Sequence, residues 1–243
     1  MEILKQVKNN KEEIRNLDDW FRLCPPKGKE KQWKDQKSAK EFARYMISEL
    51  PRIPRTLKEF LSLTDDEAEA YPEFETHLEL AGYDFGTHGP RNHDALMLTK
   101  DLVIGIEAKA GEKLGNKIHF PFKNTLSDNQ KKRYYNTYEA IFGTKEIDSQ
   151  IRYQFISASL GTFIEAVERK KNKAVLLIVS FKKDKGNSQD INYFCSALKR
   201  SRSDPKNKTI FTEYPEISFS VEHLELVCQE NKITGKYDYL IEK

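Results

Sequence analysis

The sequence predicts a mixed α/β domain: a central mixed sheet flanked by helices, with an N-terminal helical cap and a C-terminal β extension. Three observations predict it. Apolar residues recur at helical spacing up to Leu63 and at a period of two from Phe74 onward. The run Ala174-Val-Leu-Leu-Ile-Val179 has the length and composition of a buried strand. Across residues 65–181 the elements read helix, strand, strand, strand, helix, strand, an order that suits a sheet covered on its faces. A chain of 243 residues with 14 Phe and 11 Tyr holds enough apolar material for a sizeable core. Three regions are expected within one compact domain: a helical region over 1–64, a core over 65–200 and the β extension over 201–243.

The elements follow from local patterns. Residues 1–23 carry Ile3, Leu4, Val7, Ile14, Leu17 and Phe21 on one helical stripe, which Pro25-Pro26-Lys27-Gly28 ends. Ser38 followed by Glu41 has the form of a reciprocal cap for a helix over Ala39–Leu50, which Pro51 stops. A shorter helix is expected over Arg55–Leu63. Phe74, Thr76, Leu78 and Leu80 alternate with polar residues and predict the first strand. Gly82 to Pro90 is a loop. Asp94–Leu98 and Asp101–Lys109 are the second and third strands, joined at Lys100-Asp101. Helices are expected over Asp128–Phe142, over Asp148–Lys170 with Asp148 as cap, and over Gln189–Leu198; between the last two lies a strand over 174–181. The tail has strand-like pieces at Thr209–Thr212, Ile217–Leu226 and Tyr237–Ile241, with a turn at Asn231–Gly235.

Charge narrows the function classes. The net charge is +3, from 41 basic and 38 acidic residues, so the balance alone does not call for a polyanion. Its distribution is uneven. Residues 64–79 are acidic, while Lys113 to Arg133, Arg169 to Lys173 and Lys199 to Lys208 are rich in cations able to neutralise phosphates or to form solvated faces. Tyr134, Tyr135 and Tyr138 lie beside Lys131, Lys132 and Arg133, a mixture that serves either single-strand binding or amphipathic packing. Trp20 and Trp33 read as packing residues. Cys24, Cys195 and Cys228 are isolated, which speaks against a zinc site or a disulfide framework and for a reduced, cytoplasmic setting. The N-terminus lacks an apolar signal core, and no apolar run nears the about 20 residues that span a bilayer, so no membrane partner is expected. Nucleophile-elbow, phosphate-loop, dinucleotide and HExxH motifs are absent. His77, His88, His93, His119 and His223 show no ligand spacing.

The chemistry concentrates in three residues. Glu107 and Lys109 end an apolar strand and point to the same side, because strand side chains alternate. Asp94 stands six positions before Lys100, and Glu107 six positions after Asp101, so an antiparallel hairpin sets Asp94 beside Glu107. Two carboxylates, a lysine and the Ala108 carbonyl at one sheet edge suit Mg²⁺, or Mn²⁺, and phosphodiester hydrolysis.

The Asp94 … Glu107-Ala108-Lys109 pattern, together with the element order, resembles the PD-(D/E)XK nuclease superfamily. A narrower resemblance, to an uncharacterised bacterial family with that core, rests on several short motifs. These are Trp33-Lys34-Asp35, Ser38-Ala39 with Glu41, Pro72-Glu73, Glu107-Ala108-Lys109 with Glu112 and Leu114-Gly115, and Arg152-Tyr153-Gln154. It covers most of residues 33–200. The resemblance implies a restriction-endonuclease-like sheet. It makes Asp94 and Glu107 the metal-binding acids and Lys109 the catalytic lysine. Glu73 becomes an added metal carboxylate from the first core helix, and Gln154 and Arg152 become substrate-contacting residues. His93 stands where the superfamily pattern has proline, and it joins the substrate-contacting set. The implied activity is a metal-dependent endonuclease acting on nucleic acid, chiefly DNA, in a restriction, repair or defence role. Many relatives act as dimers, so a homodimer is among the implied states. The competing expectations are a non-catalytic binding or assembly module on the same fold and a hydrolase of small phosphorylated molecules. Failure of the three side chains to converge favours the first; a narrow closed pocket favours the second.

Overall fold

A computed structural model describes residues 12–50, 52–63, 68–86, 89–118, 126–181, 187–230 and 237–241. Six strands form one mixed sheet in sequence order: β1 (Glu69–Thr76), β2 (Arg91–Leu98), β3 (Leu102–Lys109), β4 (Lys173–Ser180), β5 (Ser218–Glu230) and β6 (Tyr237–Ile241). The first three form an antiparallel meander. β4 and β5 each add in parallel, and β6 returns antiparallel at the far edge.

Helices cover both faces. α1 (Leu17–Leu23), α2 (Ser38–Ile47) and α3 (Arg55–Leu61) pack over one core with Ala95, Met97, Ile104, Ile106, Leu177 and Val179. α4 (Asp128–Phe142), α5 (Tyr153–Glu168), α6 (Asn187–Ser203) and α7 (Ile210–Glu213) cover the other, built on Leu96, Val103, Leu176 and Ile178. The two cores are the two sides of one sheet. The near-continuous apolar sequence of β4 follows, because a parallel strand buried on both faces has no polar side to show. Among the described residues no helix is long and apolar enough to cross a membrane.

α5 lies very close to β3. A Cβ on Gly105 would sit 2.0 Å from Thr162 Oγ1, so only glycine admits the helix at that depth. This approach fixes where the first turns of α5 meet the carboxyl end of β3.

Several boundaries differ from the sequence reading. Helix α1 begins at Leu17, where the Asn16 side chain caps the Asp19 amide at 2.8 Å; residues 1–11 of the expected helix and the expected turn at 231–235 lie outside the described residues. The expected Ser38–Glu41 reciprocal cap does not form. Glu41 accepts from the Gln36 amide at 2.7 Å, and the Ser38 amide donates to Glu112, 74 residues away, at 3.3 Å. The first strand runs over 69–76 instead of 74–80, because pairing with β2 ends at Thr76–Arg91. Pro72 is tolerated there because β1 is the sheet's edge. α5 starts at Tyr153, since Arg152 pairs with Lys117 in a β-bridge and Asp148 caps only a turn, accepting from the Gln150 amide at 2.8 Å. Residues 209–212, expected as strand, open α7, where Thr209 and Thr212 cap each other reciprocally. α4 and β6 keep their expected limits.

Candidate functional site

The site is built at the open end of the β2–β3 hairpin. Ala95 pairs with Ile106, and continuing that register sets Asp94 opposite Glu107. The Ala108 amide donates to Asp94 Oδ2 at 2.7 Å, tying the two strand ends together.

The pleat breaks there. On β2, Ala95 and Met97 enter the α1–α3 core, yet His93, of the same parity, lies against Gly161 of α5. On β1, Ala70 belongs to the α1–α3 core and Phe74, also of the same parity, to the opposite one. The skipped residues are Asp94 and Glu73, which face each other in the register, and Glu73 has φ 46°. A left-handed backbone at a glutamate costs about 1–3 kcal/mol and marks a place where something else is being held. The reversal brings Arg91 and His93 to the face that carries Glu107.

Glu107 is 2% exposed, and both of its oxygens are engaged. Oε1 pairs with the Arg91 guanidinium and lies 3.4 Å from His93 Nδ1. Oε2 accepts from Gln154 Nε2 at 2.5 Å. Burial pushes the carboxyl up, but the Arg91 charge, the His93 contact and the Lys109 charge outweigh it and hold the group at about 2. Asp94 behaves in the opposite way. Desolvation raises it, Lys109 pulls it down, Glu107 pushes it up again, and the net shift is upward. The two facing carboxylates thus differ in proton affinity because the Arg91 charge and the His93 contact bear chiefly on Glu107.

Lys109 is 8% exposed and, with Asp94 and Glu73, lines a groove of about 930 Å³. Lys27, Lys31, Lys37, Arg91, Lys109, Lys117 and Arg133 supply seven cations to its wall, against Glu73, Asp94 and Glu112. The lining therefore carries +4, more than the +3 of the whole chain. Tyr134 and Tyr153 stand on the same wall with ring centroids 4.0 Å apart. Glu112 accepts from the Ala110 amide at 2.7 Å as well as from Ser38, so it caps α2 from a distance and fixes the chain that leaves β3.

Of the expected substrate-contacting residues, Gln154 lines the groove. His93, at 0% exposure, is buried behind Glu107 between Gly105 and Gly161. Arg152, at 6%, is committed to Asp190 Oδ2 and the Gly115 carbonyl, both at 2.6 Å, and holds the groove wall from behind. Neither of the two lines the groove. Glu73 lines the groove from strand β1, a correction to its expected place on a core helix. Arg91 is the residue that sequence reasoning missed. Strict alternation from Asp94 turns it to the other face, and nothing in the sequence announces the pleat reversal.

The donor set suits a hard cation in kind: Asp94 on the groove and, buried behind it, Glu107 and the Ala108 carbonyl are all oxygen donors. Among the described residues no three His, Cys, Asp or Glu side chains gather as ligands. A Mg²⁺ held by one or two carboxylates does not require three.

A family model described as a domain of unknown function, DUF6946, matches residues 13–227. The chain belongs to that family. The DUF6946 match spans α1 through most of β5, so the β2–β3 end and the groove lie wholly inside it. No curated protein and no solved structure matches the chain.

Proposed function

We propose that this DUF6946 chain is a metal-dependent nuclease that hydrolyses phosphodiester bonds, most readily in DNA, on a core of the PD-(D/E)XK kind. The observation that carries the proposal is that Asp94 and Lys109 line a groove with seven cations on its wall, with Glu107 buried directly behind them at the same strand end. Asp94, Glu107 and the Ala108 carbonyl are the groups to hold Mg²⁺ or Mn²⁺, with Glu73 at the rim. Bound there, the cation supplies Lewis-acid polarisation of the phosphodiester and a more acidic water.

The chain's own residues do the rest. Lys109, one residue from the Ala108 carbonyl, orients the attacking water and offsets the charge that develops on the phosphorus oxygens. Gln154 holds Glu107 in one rotamer. Lys27, Lys31, Lys37, Lys117 and Arg133 neutralise phosphates along the groove, and Tyr134 and Tyr153 offer faces to bases. The broad charged lining favours a polymer over a small phosphorylated molecule. The reading takes the protein to be cytoplasmic, with a restriction, repair or defence role, and admits a homodimer. One observation favours the binding-module alternative: both Glu107 oxygens are already occupied by protein.

The test is incubation of DNA and RNA with the wild type and Lys109→Ala in Mg²⁺, Mn²⁺ and EDTA. The expected result is metal-dependent cutting that falls about 10²–10³-fold in the variant with the melting temperature little changed. Absence of cutting by the folded wild type on every substrate favours the binding module. Equal cutting by both proteins removes Lys109 from the site.

A further inference from the structure

A cation that binds Glu107 Oε1 competes there with a guanidinium. Glu107 Oε1 is held by Arg91, and Arg91 is poorly fixed for a structural strut. Its side chain keeps 15% exposure and lines the groove, and its Nε is buried without a hydrogen-bond partner among the described residues. A buried donor left unmade costs free energy, so charge holds this arginine where it is, without a full set of hydrogen bonds. Its stem runs past Gly161 of α5, where a Cβ would stand 3.5 Å from Arg91 Cγ.

We propose that Arg91 is a two-position residue: it neutralises Glu107 while the site lacks a divalent cation, and it turns into the groove to bind the substrate phosphate once a cation takes Glu107. The proposal rests on the reading of Asp94 and Glu107 as metal-binding carboxylates. Charge balance argues for the exchange. Asp94 and Glu107 face Arg91 and Lys109, so the ionised site is neutral as it stands. A dication added with Arg91 in place leaves two uncompensated positive charges in a partly buried site, which is costly. With Arg91 moved onto a phosphate, one positive charge remains beside that same phosphate. The planar fork of arginine suits a phosphodiester better than a lysine does. Metal and nucleic acid then favour each other's binding through Arg91.

The test uses Arg91→Gln in the full chain, with two titrations. Free Mn²⁺ is followed by electron paramagnetic resonance, with Mn²⁺ as the only ligand. A fluorescein-labelled phosphorothioate DNA is followed by anisotropy in saturating Mn²⁺. Arg91→Gln is expected to bind Mn²⁺ about tenfold more tightly, because the competing cation is gone, and the DNA about tenfold more weakly. A merely structural role would weaken both. Arg91→Lys keeps the charge without the fork and is expected to restore the wild-type Mn²⁺ affinity but not the DNA affinity. Unchanged or weaker Mn²⁺ binding in Arg91→Gln, or unchanged DNA binding, overturns the proposal. Asp94→Asn separates the two levels. If it binds Mn²⁺ as the wild type does, or if neither binds, the metal site itself is wrong. If it loses Mn²⁺ while Arg91→Gln gains nothing, only the exchange fails.

Discussion

The two ends of the β2–β3 hairpin are made of the same two strands and obey different rules. At the turn end, Ala95–Leu98 pairs with Val103–Ile106 in unbroken register. There Ala95, Leu96, Met97, Val103, Ile104 and Ile106 are all at 0% exposure, divided by alternation between the two cores. At the open end the pleat breaks at Asp94 and at Glu73 opposite, a buried Glu107 is paired with a partly buried Arg91, and His93 carries two ring nitrogens without a hydrogen bond among the described residues. Burial of apolar area stabilises the first end. The second tolerates desolvated charge and a left-handed glutamate, costs that a fold does not carry without use. The contrast teaches where stability and chemistry have been separated along one hairpin.

Substitutions sharpen the contrast. The largest effects are expected from truncation at either end. Leu96→Ala should cost about 2–5 kcal/mol in urea unfolding and leave cleavage per folded molecule intact. Glu107→Ala should cost about 3 kcal/mol, because Arg91 is left without its counter-charge, and should abolish cleavage as well. Equal cleavage by the two folded variants would erase the distinction between the ends.

Asp94→Asn should behave unlike any core substitution. Burial disfavours the Asp94 charge in the folded state, so removing that charge should raise the melting temperature at neutral pH while cleavage is lost. A fall in melting temperature would mean that the fold depends on the Asp94 charge.

Acid separates the two carboxylates further. Glu107 is depressed from 4.5 to about 2, so its contribution is fully present above its unfolded value and is lost as pH falls through about 2. The melting temperature of the wild type should drop across that window, and Glu107→Gln should flatten the drop. The smallest effect is expected at Glu73. Glu73→Gly relieves a positive φ but loosens the unfolded chain, so unfolding should shift by about 1 kcal/mol or less. A loss of several kcal/mol there would show that the Glu73 side chain, and not its backbone, holds the strand.

What the sequence made legible tracks this same division. The turn at Lys100-Asp101, the apolar alternation and the setting of Asp94 against Glu107 follow from a period of two and a count of residues; the register bears out the first two, and the Ala108–Asp94 hydrogen bond brings Asp94 to the end of β3. The limits of α4 were readable because Ser127 and Gly143 bracket it as cap and left-handed stop. Thr209–Thr212 misled because β-branched residues also cap helices, and a mutual Thr–Thr cap looks like a strand in a short window. The distant cap on α2 from Glu112 was out of reach of any local pattern. Arg91, and the burial of His93 behind Glu107, were hidden for a different reason. Both residues reach Glu107 where the pleat reverses at Asp94, opposite the left-handed Glu73 on the neighbouring strand, and alternation from Asp94 assigns them to the wrong face.

The most direct measurement is a crystal of the full chain soaked in Mn²⁺ and examined by anomalous diffraction. The proposed metal site predicts a manganese peak at the open end of the hairpin, in contact with Asp94 and Glu107, with Arg91 turned away from Glu107 into the groove. No peak there at saturating Mn²⁺, with Arg91 still paired to Glu107, would contradict it and leave the groove as a binding surface alone.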